Sequence, residues 1–288
     1  MNDITRSTLN IVAVGAHPDD IEFGAGGTLT LLAEKGHSIH FVTMTPGDLG
    51  SPVVFGEDIA ATRFQEAKRS ASLFEGTYDC VGAEDLHVKH SQELVKEVVR
   101  VLRKYEVDLL FTHPPRDYMK DHEETHEIVR DAANRLPVPR YQRVQVKSGN
   151  FPLEIESIPF LYYWAPYGGL NYAGEVFPAH FLISLGENEI EQKKDSLKYH
   201  ESQREWLRKH YGTDEYIDNM LEISRKWLKQ FDLEESTDNV HAEPFIQDLS
   251  SGFPTENLLA ELLTDRLIVP NEKDEETEFG KSNNLFLE

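Results

Sequence analysis

Apolar residues gather in short runs along the first half of the chain, separated by stretches where they return every third or fourth position. Residues 11–16 (Ile-Val-Ala-Val-Gly-Ala) are an unbroken apolar run of strand length. Residues 24–36 then read as a helix opened by glycines and closed at Gly36. A second strand is expected over 38–44, where Ile39, Phe41 and Val42 precede Pro46 and Gly47. Ile59, Ala60, Phe64, Ala67, Ala71 and Phe74 sit at helical spacing, residues 91–105 repeat that pattern, and residues 107–112 read as a third strand. Strands alternating with helices over short connections predict an α/β fold with a doubly wound, mostly parallel, Rossmann-like sheet flanked by helices. Such sheets hold ligands in loops at the carboxyl ends of their strands.

Past residue 150 the pattern weakens. Residues 158–164 and 181–185 read as strands around a loop carrying Gly168, Gly169 and Gly174, and residues 187–209 read as one helix. Residues 232–288 carry 15 acidic and 3 basic side chains, more than half of the chain's net charge of −22. This shift divides the chain into an α/β domain over 1–231 and an acidic C-terminal extension over 232–288. The stretch 271–288 is polar enough to be a loose tail.

Composition narrows the function. With 288 residues and 39% hydrophobic side chains the chain can build a sizeable core. Its acidity argues against nucleic-acid binding, which relies on basic patches. The single cysteine, Cys80, excludes an internal disulfide and a thiolate-rich metal centre. No apolar stretch approaches the ~18 residues of a membrane span, and the polar start lacks the features of a secretory leader. A cytoplasmic protein is expected.

The candidate chemistry follows the first strand. In Gly15-Ala16-His17-Pro18-Asp19-Asp20, three ligands or proton carriers fall within four residues. Imidazole with carboxylate oxygen suits Zn²⁺, and a neighbouring carboxylate could take a proton from water. A solvated turn is the competing account, because Pro-Asp-Asp is ordinary turn chemistry. A third ligand is available after the third strand, in the stretch from His113 through Asp117, Tyr118 and Met119 to His122. Here His122-Glu123-Glu124-Thr125-His126 matches the H-E-x-x-H pattern of zincin peptidases. Its surroundings, Asp121 to Glu127, are more polar than a buried zincin helix allows, so that reading ranks last.

Ala16-His17-Pro18-Asp19-Asp20 with Gly24-Ala25-Gly26-Gly27-Thr28-Leu29 resembles the opening motif of the PIG-L/LmbE-like zinc-dependent de-N-acetylases. The resemblance continues through Thr45-Pro46-Gly47-Asp48, Arg63-x-x-Glu66-Ala67, Asp85, Asp117-Tyr118-x-x-Asp121-His122 and His200-x-Ser202-Gln203, and faintly Ala242-Glu243-x-Phe245. It implies that His17, Asp20 and His122 ligate Zn²⁺ or another divalent ion and that Asp19 is the general base. Arg63 and Asp85 resemble positions that hold sugar hydroxyls, with Tyr118 as a further substrate-side residue. Arg63 could instead form a helical ion pair with Glu66. His200, Ser202 and Gln203 are expected to pack over the active-site side.

One departure from the family stands out. The second motif commonly reads His-Pro-Asp-His, its first histidine assisting the oxyanion or the leaving amine, whereas this chain has Met119-Lys120-Asp121-His122. A thioether cannot transfer a proton. His113, Tyr118, Lys120 and His180 are the candidate replacements, with His180 preferred as a second catalytic residue. The aromatic group Tyr162, Tyr163, Trp164, Tyr167 and Tyr172 could stack on a sugar, though core packing accounts for it as well. The expected activity is zinc-dependent removal of an N-acetyl group from an N-acetylglucosamine-type sugar or conjugate, a small molecule, by a chain that could form homo-oligomers. Alternatives are a hydrolase of another small amide and a metal-binding homologue without catalysis.

Overall fold

The computed structural model describes residues 8–50, 56–138, 141, 157–212, 215–231 and 241–269. The parallel part of the fold comprises β1 (Asn10–Gly15), α1 (Asp20–Glu34), β2 (Ser38–Thr43), α2 (Glu57–Ser72), β3 (Thr77–Cys80), α3 (Gln92–Lys104), β4 (Leu109–Thr112), α4 (Lys120–Arg135) and β5 (Phe160–Trp164). There follow β6 (Phe181–Leu185), α5 (Glu187–Lys198), α6 (Glu201–Tyr211), α7 (Tyr216–Gln230), β7 (His241–Gln247), α8 (Leu258–Leu262) and β8 (Leu267–Ile268).

All eight strands join one sheet in the order β3-β2-β1-β4-β5-β7-β6-β8. The first five are parallel, while β7 pairs antiparallel with both β5 and β6. Strand periodicity sorts the core into two layers. Ile11 and Ala13 of β1 join Ile21, Ala25 and Leu29 of α1 and Ala67 and Ala71 of α2 on one face. Val12 and Val14 join Val95, Val98 and Val99 of α3 and Ile128, Val129 and Ala132 of α4 on the other. The chain winds outward from β1 to β3 and returns to β4, so the sheet reverses direction between β1 and β4. A crevice opens at the carboxyl ends there.

The glycines of α1 serve close packing against β5 and β6. A Cβ on Gly24 would lie 2.5 Å from Trp164 of β5, and one on Gly27 would lie 2.3 Å from Leu185 of β6.

Three elements depart from expectation. β3 (Thr-Tyr-Asp-Cys) is only four residues long, at the edge of the sheet, too short for a periodic signal. The helix expected over 187–209 is two helices, broken at Tyr199 and His200; His200 is fully buried with its Nε2 2.8 Å from Glu22 Oε1. The largest correction concerns the boundary at 231/232. β7, in the acidic segment, lies between β5 and β6, so residues 241–268 complete the sheet and do not form an appendage. Pro244 lies inside β7, where proline normally argues against an inner strand. Glu243 fastens this strand to the helices: it accepts from Gly27 N–H (2.8 Å), Thr28 N–H (2.7 Å) and Lys193 Nζ (2.6 Å), all buried. The stretch 271–288 lies outside the described residues.

Candidate active site

Two loops at the β1/β4 crevice supply most of the polar cluster, and the loop after β3 adds Asp85. After β1 the chain turns through His17, Pro18 and Asp19, and Asp20 opens α1. Asp19 has φ 109° and ψ −23°, a conformation that costs a non-glycine residue about 1–3 kcal/mol and is kept only where surroundings enforce it. The Asp20 carboxylate folds back to accept the His17 N–H at 2.7 Å, which locks the turn. After β4, the loop carries His113, Asp117 and Tyr118 into α4, whose first turn places Asp121 and His122.

The two imidazoles are oriented from behind. Asp117 Oδ1 lies 3.0 Å from His122 Nδ1. Asp121 Oδ2 and Asp85 Oδ1 each lie 3.2 Å from His17 Nε2. The opposite ring nitrogens therefore face Asp20: His17 Nδ1 is 3.5 Å from its Oδ2, and His122 Nε2 is 3.4 Å from its Oδ1. His122 Nε2 is buried and has no hydrogen-bond partner. A histidine whose outer nitrogen is held by a carboxylate, with the inner one bare and facing another carboxylate, is the donor set of a metal centre. His17, Asp20 and His122 thus fit a divalent ion, their donor atoms all lying within 4.8 Å of one another. His113, Asp117 and His122 form a second, overlapping group, and His17, Asp85 and Asp121 a third.

Electrostatics agree. Burial alone would raise the Asp20 carboxyl, but His122 and His113 outweigh it and hold it well below the usual range. Burial likewise fails to keep Asp117 up; His113 and His122 bring it to about 2. Asp19 behaves oppositely. Burial pushes its carboxyl up to about 6, with Arg63 and His200 opposing and Asp20 assisting. The Tyr216 hydroxyl, from the start of α7, donates to Asp19 Oδ2 at 2.9 Å. Burial and the neighbouring Asp19 raise the Tyr216 phenol well above its usual value, so it stays protonated as that donor.

The cluster forms the floor of a cavity of about 630 Å³, within the usual range for small-molecule sites. Tyr118 stands over it, its ring edge-on to His122 with centroids 5.3 Å apart. Trp164 and Tyr167 line the cavity, but Tyr162 and Tyr163 belong to the two core layers. Gln203, Trp206 and Leu207 of α6 form part of its wall, as the His200-x-Ser202-Gln203 segment led us to expect.

Several assigned residues have a different environment from the one expected. Arg63 lines the cavity, yet donates to Gly47 O (2.9 Å) and Gln203 Oε1 (2.7 Å) and does not pair with Glu66, whose carboxylate takes Ser202. Asp85 is engaged with His17 and with the Leu49 N–H at 2.9 Å, so it buttresses a histidine as well as lining the cavity. His180 is not brought to the cavity. It stands exposed at the head of β6, accepting from Gln247 N–H at 3.3 Å, and β5 and β7 separate that strand from β4. Lys120 also points elsewhere, paired with Glu124 at 3.0 Å. His113 is buried beneath the cluster, stacked on His122 at 4.0 Å. Of the four candidate replacements for the histidine lost at Met119, Tyr118 alone is both at the cavity and half-exposed.

The H-E-x-x-H segment does not form a ligand pair among the described residues. His126 Nδ1 donates to the His113 carbonyl at 3.0 Å and its ring packs on Tyr163, so it joins none of the ligand groups.

Asp117 and Asp121 sit within the second motif, and the fold gives them their role as supports of His122 and His17; Tyr216 carries no signal of its role in the sequence. The carboxylates' spacing to His122 was a usable signal for one of the two buttresses. Nothing near Tyr216 in sequence connects it with Asp19.

Residues 12–133 match the PIG-L family, described as GlcNAc-PI de-N-acetylase. The chain is 25% identical over 209 residues to a diacetylchitobiose deacetylase from Thermococcus kodakarensis, an alignment covering 70% of this chain and 73% of that one. An N,N'-diacetylchitobiose deacetylase from Pyrococcus horikoshii superposes with a TM-score of 0.65 at 21% identity, covering 82% of each chain. The 4-carboxy-2-hydroxymuconate hydratase GalB from Pseudomonas putida superposes with the same TM-score, 0.65, at 18% identity, covering 87% of this chain and all of that one. At such identities these structures establish the shared fold only. The matched segment contains all of His17, Asp19, Asp20, Asp85, Asp117, Asp121 and His122, and the family match together with the deacetylase relatives is consistent with a PIG-L/LmbE-like deacetylase.

Proposed function

We infer that this protein is a metal-dependent hydrolase, zinc being the expected ion, that removes the N-acetyl group from an N-acetylglucosamine-type sugar or its conjugate. The observation that carries this reading is the bare, buried His122 Nε2 facing Asp20, with its other nitrogen held by Asp117. His17, Asp20 and His122 would hold the ion, which when bound supplies Lewis acidity for water and for the amide carbonyl.

The chain's own residues do the rest. Asp19, raised to about 6, is ionised at neutral pH yet basic enough to take a proton from the attacking water at a carboxylate oxygen. It then returns that proton to the departing amine. Tyr216 holds one Asp19 oxygen through its 2.9 Å hydrogen bond, leaving the other free for the water. Asp85, Asp117 and Asp121 keep the two imidazoles turned toward the ion. Tyr118 takes the place of the family's missing histidine at the substrate, its hydroxyl donating to the carbonyl oxygen or the leaving nitrogen. Arg63 lies against the glycine loop at Gly47, where it shapes the cavity wall.

The test is amine release from N-acetylglucosamine, diacetylchitobiose and simple N-acetylglucosaminides, using protein stripped of metal and then reloaded with zinc. Zinc-dependent release that disappears in Asp19→Asn, while that variant still binds zinc, supports the reading. Absence of release from every compound by zinc-loaded protein overturns it.

A further inference from the structure

The floor of the cavity and its mouth differ in chemistry. The floor is crowded with carboxylates and imidazoles, whereas the mouth is apolar. Leu49 (52% exposed), Leu86 (54%), Tyr118 (50%) and Tyr167 (39%) all line it, which accounts for four of the ten exposed large hydrophobic side chains among the described residues. Such residues scattered singly need no explanation, but their collection around one opening marks a binding surface. Trp206 and Leu207 of α6 extend the same apolar wall.

Charge points the same way. Among the described residues lining the cavity, Arg63 is the one Lys or Arg side chain. Both its terminal nitrogens are already committed, to Gly47 O and Gln203, and its Nε is sealed from solvent. Among the described lining residues, no Lys or Arg side chain is therefore free to receive a phosphate or carboxylate carried by the substrate. Glu215 at the wall, with Asp19 and Asp85 deeper in, would repel one. Desolvating an anion without a partner is costly.

We propose that the sugar processed here carries an uncharged, apolar aglycone, alkyl or aryl, which lies against Leu49, Leu86, Tyr167 and Trp206, and that conjugates bearing an anionic group at that position are rejected. The assignment rests on the deacetylase reading for the position of the acetamide at the floor. It differs from that reading in naming what occupies the mouth.

Two measurements on the full-length, zinc-loaded protein test it. The first compares kcat/KM for amine release from octyl N-acetyl-β-glucosaminide, the methyl glycoside and N-acetylglucosamine 1-phosphate. The octyl compound is expected to exceed the methyl compound by about tenfold or more, a modest return for burying several methylenes, and the phosphate to fall below both. In the double variant Leu49→Ser/Leu86→Ser the octyl-to-methyl ratio should fall toward one. The second measurement is calorimetric binding of the same three compounds, which reads the site whether or not turnover occurs. Octyl-selective binding without amine release would sink the deacetylase reading while upholding the apolar mouth. Amine release with equal or better use of the methyl or phosphate compound would sink the apolar mouth and keep the deacetylase. Failure of all three compounds to bind would overturn both.

Discussion

The parallel half of the sheet and its antiparallel half divide the labour of the site unequally. β1 and β4, with the loops and helix starts after them, contribute His17, Asp20 and His122, and the loop after β3 adds Asp85. The antiparallel half contributes none of these, yet α6 presents Gln203 and Trp206, and α7 reaches back with Tyr216 to Asp19. Chemistry is thus written in short loops, and the holding of that chemistry in helices far along the chain. A motif of contiguous residues finds the first kind of contribution and is blind to the second.

The sharpest way to test this division is to strike the loop half first. Asp19→Asn should lower kcat by about 10²–10⁴, the range for losing a general base, with zinc content unchanged by elemental analysis. His122→Ala should instead lose the zinc itself, which equilibrium dialysis would detect; retention of a full equivalent would remove His122 from the ligand set.

The supporting half should answer in stability. Glu243→Ala leaves Lys193 buried without its partner and the Gly27 and Thr28 N–H groups without their acceptor. We expect a loss of about 3–5 kcal/mol in denaturant unfolding, whereas Asp19→Asn should not destabilise the fold to that degree. Tyr216→Phe joins the halves: it removes one hydroxyl from the remote helix and should cost about tenfold in kcat, a hydrogen bond to a charged group, with KM little changed. A change confined to KM would mean that Tyr216 touches substrate and does not steady the base.

The smallest effect expected is on pH dependence. Burial lowers the His126 imidazole to about 4 in the fold, below its unfolded value of about 6.5. The neutral ring is the folded form, so its contribution is intact above 6.5 and is lost as pH falls from there toward 4. At pH 5.5 the loss is about 1.4 kcal/mol. His126→Gln should flatten the acid limb of the stability curve by up to one proton, measured by urea unfolding between pH 7 and 4.5. An unchanged limb would assign the acid sensitivity to other buried groups such as His40, which burial also lowers to about 4.

What could be read in advance follows the same division. β1, β2, α2, α3 and β4 declare themselves through apolar runs or helical spacing, and His17-Pro18-Asp19-Asp20 follows directly on the first of them. His122 is legible through its motif. β7 is not: His-Ala-Glu-Pro-Phe-Ile-Gln buries Glu243 and contains a proline, and only partners on α1 and α5 make that composition acceptable in an inner strand. The break at His200 is invisible for a related reason, since the histidine that interrupts the helix is satisfied by Glu22, 178 residues away. The remoteness of His180 is not legible either, because the insertion of β7 between β5 and β6 sets its strand away from β4.

The place of β7 also has a bearing on how the chain is made. β6 leaves the ribosome well before β7, but its neighbours in the finished sheet are β7 and β8. During synthesis the parallel half can close its layers while β6 waits with both edges unpaired, for more than fifty residues of further translation. A nascent chain halted before residue 241 should therefore carry a formed β1/β4 crevice beside an open β5 edge, the kind of edge that recruits other strands.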